Sequence, residues 1–207
     1  MCRVGFIDDD VSLLKEYTNQ FRRRNIELYF VRDCSTFEEI YNWIMNNRIE
    51  CFLVDYQLLG KYDFTGTDLM SEMNLYIPYL PCIILTNYIE DSKNENLVIR
   101  NLIVDRDIIV SENKEDFFQS IKHACAVFRH KLKIIAAEYQ KLKKKLGENI
   151  ITFDETERLK LLQNQLSAYG VVDEVPRAMI DHEMKDKLDS LLRDLKKVIE
   201  NMDDETI

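Results

Sequence analysis

The sequence predicts a doubly wound α/β fold, a five-stranded parallel sheet, followed by an α-helical coiled-coil or bundle extension. Three observations predict it. Short apolar runs alternate with helix-period segments up to about residue 125. Glycine and proline are scarce, 5 and 3 in 207 residues, which disfavours a turn-dense all-β chain. After residue 125 the alternation stops and only helical periodicity remains.

The apolar runs at 4–7, 28–31, 51–54, 82–85 and 108–110 are short and rich in β-branched or aromatic residues, as strands buried on both faces are. Helical periodicity covers 11–24, 36–47, 67–75, 91–101 and 115 onward. Ser35, with Glu38 three residues later, offers a capping box for the second helix. The fifth helix does not stop where an α/β domain should end. Phe117, Ile121, Ala124, Phe128, Leu132, Ile135, Tyr139, Leu142 and Leu146 step by three and four and sustain a heptad-like seam. Gly147 is its expected stop. Asp154 with Glu157 then offers a cap, and Leu159, Leu162, Leu166 and Tyr169 share one helical face before Gly170. Pro176 suits the first turn of a last helix, in which Met184, Leu188, Leu191, Leu195, Val198 and Met202 again alternate. The expected division is an α/β domain over 1–128 and a helical extension over 129–207. The fifth helix is expected to continue to about 146, with further helices at about 155–169 and 176–202.

Composition narrows the function classes. No run of eighteen apolar residues is present, so no membrane span is expected. The N-terminus runs straight into acidic residues and does not read as a secretory leader. The five cysteines contain no CxxC pair and mostly sit in apolar runs, as reduced buried residues of a cytoplasmic protein would. The charge is uneven. Residues 1–128 hold 13 Lys/Arg against 21 Asp/Glu, 129–146 hold 7 against 1, and 147–207 hold 8 against 15. The acidic tail argues against a DNA-reading output domain, and the basic run at Lys141, Lys143, Lys144 and Lys145 reads as a coiled-coil flank.

In an open α/β sheet, ligands bind beyond the carboxyl ends of the strands. The first strand ends in Asp8, Asp9 and Asp10, the third in Asp55, and the fourth in Thr86 and Asn87. Carboxylates brought this close repel one another, and the arrangement makes sense around a hard cation, for which Mg²⁺ is the expected ion.

An acidic pair after strand one, an Asp after strand three and a Thr after strand four resemble the CheY-like receiver domains of two-component response regulators. The resemblance covers about 125 residues. It implies that Asp8 and Asp9 position Mg²⁺ together with Asp55 and the backbone carbonyl of Gln57. It implies that Asp55 takes a phosphoryl group from a histidine kinase and that Thr86 hydrogen-bonds the phosphoryl oxygens. A receiver is a phosphoacceptor and not an enzyme in the ordinary sense. The expected output is protein–protein contact through the C-terminal helices, with a helical partner or by self-association. The pattern also departs from the family's. Its fifth strand usually ends in an aromatic, two further residues and a Lys, whereas Ile108 and Ser111 are expected to hold those places here, with Lys114 the nearest substitute. The stretch after Asp55, 57–66, is about three residues longer than usual and lacks its proline, and Asn87 is bulkier than the usual small residue. An alternative is therefore a pseudo-receiver, an adaptor that phosphorylation does not control. A further alternative rests on Asp8-Asp9-Asp10-Val11, which fits the opening motif of haloacid-dehalogenase-type phosphatases with Asp8 as nucleophile, but leaves Asp55 idle. His123 and His130 read as helix-surface residues, Trp43 as core, and His182 as a solvated helix position.

Overall fold

The structure is a computed structural model and describes residues 1–172 apart from 11, 13 and 59. Five parallel strands form one sheet: β1 (Cys2–Ile7), β2 (Ile26–Phe30), β3 (Cys51–Val54), β4 (Cys82–Thr86) and β5 (Ile103–Asp105). Their spatial order is β2-β1-β3-β4-β5, so the chain reverses direction between β1 and β3 and leaves a crevice at their carboxyl ends. Every pairing is parallel, and the crossovers are helical: α1 (Leu14–Arg22), α2 (Phe37–Asn46), α3 (Gly66–Tyr76) and α4 (Ile89–Asn94). The long helix α5 (Lys114–Gly147) follows, then α6 (Phe153–Ala168).

Burial explains why the strands form where they do. All four residues of β3 are buried, and β1 is buried from Val4 onward, because both strands are covered on two faces. On one face Val4, Phe6, Cys51 and Leu53 pack with Tyr17 and Phe21 of α1 and with Phe118, Ile121 and Cys125 of α5. Phe21 meets Phe118 edge-on at 4.9 Å, and the Arg24 guanidinium lies 4.2 Å over the same ring while it pairs with Glu115. The end of α1 is thereby fixed to the start of α5.

Helix caps sit one or two residues from their expected places. The α2 capping box is Thr36 with Glu39, although the backbone of Ser35 also donates to the Glu39 carboxylate at 2.6 Å. The α6 box is Thr152 with Glu155. Helix α5 includes Gly147 and ends instead through Asn149 in the left-handed conformation. The amides of Asn149 and Ile150 donate back to the carbonyls of Leu146 and Lys145, a Schellman closure.

The largest departures flank β5. Helical periodicity at 91–101 yields only the six-residue α4, because only Ser92 of it is buried and no apolar face holds a longer helix. The fifth strand is Ile103–Asp105 and not 108–110. Asp105 caps a 3₁₀ turn over Arg106–Ile109 by accepting from the Asp107 amide, and the turn buries Ile109 while leaving Val110 exposed. The apolar run that looked most like a strand is a packed turn.

The chain forms two compact units that divide within α5, Met1–Lys141 and Leu142–Ile207. In the first, the expected seam is buried at Phe117, Ile121, Phe128, Ile135 and Tyr139, and His123 and His130 are exposed. In the second, Leu142, Leu159, Leu162, Leu166 and Tyr169 are buried, and Lys145 pairs with Glu155. The helix expected at 176–202, with His182, lies outside the described residues. Among the described residues no helix is long and apolar enough to cross a membrane.

Candidate functional site

Parallel pairing carries the acidic residues to one place. The Asp55 amide donates to the Ile7 carbonyl at 3.0 Å, which sets Asp55 beside the residue before Asp8. Thr86 closes β4 in register with Asp105, so the residue after Asp105 reaches the same crevice. One carboxylate oxygen from each of Asp8, Asp9 and Asp55 lies within 4.8 Å of the others. Asp8 and Asp55 are buried and Asp9 is exposed. Asp10 turns away, accepting from the Ser12 amide at 2.8 Å, and its own amide donates to Asp8 Oδ1 at 2.9 Å.

Two glycines shape the cradle. An added Cβ on Gly66 would collide with the Asp55 carbonyl, so the start of α3 can close against the acceptor strand only without a side chain. A Cβ on Gly60 would meet Asp9 Oδ2 at 2.6 Å, so the loop after β3 lies against the outer carboxylate. That longer loop folds on itself, with Leu58, Tyr62 and Phe64 buried and the Phe64 ring 4.4 Å from Phe37. Gln57 is exposed at the start of this loop, two residues past Asp55.

A residue that the sequence reading missed completes the site. Arg106 Nη2 lies 2.8 Å from Asp55 Oδ2 and 3.1 Å from Asp8 Oδ2, with all three side chains nearly inaccessible. The expected places of the strand-end cation and switch aromatic at Ser111 and Ile108 are therefore corrected. With β5 at Ile103–Asp105, the stretch Ile103-Val104-Asp105-Arg106 has the same spacing, with Ile in the aromatic place and Arg in the Lys place. That spacing was the available signal, obscured by the more apolar run that follows. Ser111 instead donates its hydroxyl to the Ile108 carbonyl, and Lys114 begins α5.

Electrostatics follow from burial. Burial raises the Asp8 carboxyl from 3.8 to about 6. The Asp10 amide and Arg106 pull it down, and Asp55 and Asp9 push it further up. Burial likewise raises Asp55, opposed by Arg106, by the nearby Thr86 hydroxyl and by the Tyr56 backbone. Burial works against the Arg106 charge, but Asp55 and Asp8 together outweigh it and hold the guanidinium ionised. Thr86 is fully buried and accepts from the Tyr88 amide at 3.1 Å, which leaves its hydroxyl proton to point elsewhere. Asp55 Oδ1 is buried with no hydrogen-bond partner.

These features fit a hard divalent cation. Three carboxylates against one guanidinium leave two net negative charges, and an orphaned carboxylate oxygen has lone pairs to give. Beside the crevice, Glu95 accepts from the Tyr56 hydroxyl at 2.8 Å and from Thr67, which ties the end of α4 to the residue after Asp55 and to α3.

No protein-family model matches the sequence, and no curated protein matches it. Solved structures do. A CheY-like receiver domain protein from Methanospirillum hungatei JF-1 is 20% identical, covers 63% of this chain and 98% of its own, and has a TM-score of 0.48. A receiver domain protein from Clostridium thermocellum is 20% identical over 64% of this chain and 98% of its own, with a TM-score of 0.48. The response regulator TrrA from Thermotoga maritima, solved in complex with Mg²⁺ and BeF, is 14% identical over 60% of this chain and 99% of its own, also at 0.48. With five parallel strands in the order β2-β1-β3-β4-β5, the chain carries a doubly wound fold of the flavodoxin-like strand order, followed by a long helix.

Proposed function

We propose that the protein is a two-component response regulator in which Asp55 accepts a phosphoryl group from a histidine kinase or a small-molecule phosphodonor. The observation that supports this most is the convergence of Asp8, Asp9 and Asp55 with Arg106 at the carboxyl ends of the strands. There Asp55 Oδ1 is left buried and unpartnered. Phosphoryl transfer needs little covalent chemistry from a protein. It needs the nucleophile held in place and three equatorial oxygens neutralised. Asp55 supplies the nucleophilic oxygen. It forms a P–O bond as the donor's bond to phosphorus breaks, and the donor leaves with the bonding electron pair. Arg106, already on the other Asp55 oxygen, offers guanidinium donors to the incoming phosphoryl group, and Thr86 offers its hydroxyl proton. Asp8, Asp9, Asp55 and the Gln57 carbonyl would hold Mg²⁺, which supplies charge neutralisation when bound.

A second reading, the pseudo-receiver, is favoured by one specific observation. A single Arg106 nitrogen bridges Asp8 and Asp55, so the protein supplies its own cation between the carboxylates. Beryllofluoride with Mg²⁺ distinguishes the two. A receiver shows saturable, Mg²⁺-dependent chemical-shift changes at Asp55, Thr86 and Arg106, and Asp55→Asn abolishes them. A pseudo-receiver shows none. The output we assign to the C-terminal helices, contact with a helical partner or a second copy, is tested by removing residues 142–207. If oligomeric state and partner binding are unchanged without them, that assignment fails.

A further inference from the structure

A second ligand-bearing cluster lies in the α/β unit, built from residues separate from the acidic crevice. Cys2 begins β1, Glu50 immediately precedes β3, Cys51 begins β3, and Cys125 lies on α5. A sulfur of Cys2, a sulfur of Cys125 and a carboxylate oxygen of Glu50 all lie within 4.8 Å of one another. The Cys51 thiol is close enough to Cys125 to act on its titration, as is that of Cys2. All three cysteines are buried. Glu50 also accepts from the Arg3 amide at 3.0 Å and from Arg129 Nε and Nη2 at 2.5 and 2.8 Å, while Arg129 Nη2 lies 3.4 Å from Cys2 Sγ.

We infer that Cys2, Cys125 and Glu50 form a site for a thiophilic d¹⁰ divalent cation of the zinc class, with Cys51 beside it, which would pin α5 to β1 and β3. Two sulfurs and one carboxylate oxygen supply three donors of the kinds that zinc takes, and the Cys51 sulfur next to Cys125 is the nearest fourth. The spacings below 4.8 Å among Cys2, Cys125 and Glu50 suit atoms that share one ion. Arg129 supplies the outer partner that orients the Glu50 carboxylate, and its charge offsets part of the negative charge that the thiolates would bring. Burial raises the Cys2 thiol, and the Cys51 thiol with burial raises that of Cys125, so these two thiols are neutral without metal. Binding therefore releases the protons of these thiols to solvent, up to two per ion, and affinity rises with pH.

The test uses the full chain, reduced and stripped with a chelator, then titrated with Co²⁺ and Zn²⁺ in the presence of excess Mg²⁺ to occupy the acidic crevice. We expect one Co²⁺ per chain with thiolate-to-cobalt charge-transfer absorption, displaced by one Zn²⁺, and a thermal midpoint that rises with Zn²⁺. Asp55→Asn should leave the absorption unchanged. Cys2→Ser should weaken it, and Cys125→Ser should abolish it. Glu50→Gln, which keeps the shape of the site, should reduce affinity at least tenfold and so serves if the cysteine variants do not fold. The inference is overturned if Co²⁺ gives no thiolate absorption, if Cys125→Ser leaves it intact, or if Asp55→Asn removes it.

Discussion

Replacing Asp8 by Asn should stabilise the protein. Asp8 is a buried carboxylate whose pKa is raised from 3.8 to about 6, so the folded state binds its proton more tightly than the unfolded state does. A raised carboxylate of this kind favours folding below about pH 4, and that advantage is lost as pH rises through 6. A rise from 3.8 to about 6 corresponds to about 3 kcal/mol at pH 7, using about 1.4 kcal/mol for each pH unit. Asp55 is raised as well and contributes with the same sign. Asn keeps an oxygen to accept from the Asp10 amide and removes the charge, so Asp8→Asn should recover much of that energy at pH 7 and little at pH 4. The assay is urea unfolding without divalent ions at several pH values between 4 and 7.5. The advantage of the variant over wild type should grow as pH rises from 4 to 7, and added Mg²⁺ should close the gap at pH 7. A variant less stable than wild type at pH 7, or a difference that does not widen from pH 4 to 7, would refute the reasoning.

Arg106→Ala should act in the opposite direction. It leaves two buried carboxylates without their cation, a loss of about 3–5 kcal/mol at pH 7.5 that shrinks on acidification and is partly restored by Mg²⁺, read by the same unfolding curves. Gly66→Ala forces a methyl against the Asp55 carbonyl and should cost about 2–3 kcal/mol while weakening Mg²⁺ binding, measured by unfolding and calorimetry. Arg48 ends α2 in the left-handed conformation at φ 51°, with the Ile49 amide donating to the Ile44 carbonyl. Arg48→Gly should raise stability by about 0.5–1 kcal/mol, visible as a higher urea midpoint.

How much of this was legible in the sequence depended on local energetics. Strands β1, β3 and β4 are buried where pairing and burial agree, so apolar runs marked them within two residues. The carboxylates could be assigned to one crevice because parallel strands and a reversed order leave no other place for strand-end residues. The sheet edge was not legible. β5 is three residues long and ends in an exposed Asp, whereas the 3₁₀ turn after it carries Ile108, Ile109 and Val110 and buries the middle one. Hydrophobicity marks burial and does not distinguish an edge strand from a packed turn. That single misplacement hid Arg106, because a cation is recognised at a strand end only once the strand end is known. Caps slipped by one or two positions for a milder reason. Ser35 and Thr36 both precede an acidic residue by three, and Ser35 and Thr36 both donate backbone amides to Glu39.

The central claim is that Asp55 is a phosphoacceptor. The most direct measurement is the intact mass of the protein after incubation with acetyl phosphate, with and without Mg²⁺, for wild type and Asp55→Asn. The account predicts a wild-type mass increase of one phosphoryl group that needs Mg²⁺, is lost on treatment with hydroxylamine as an acyl phosphate is, and is absent in the variant. No added mass in wild type, or an equal increase in Asp55→Asn, would contradict it.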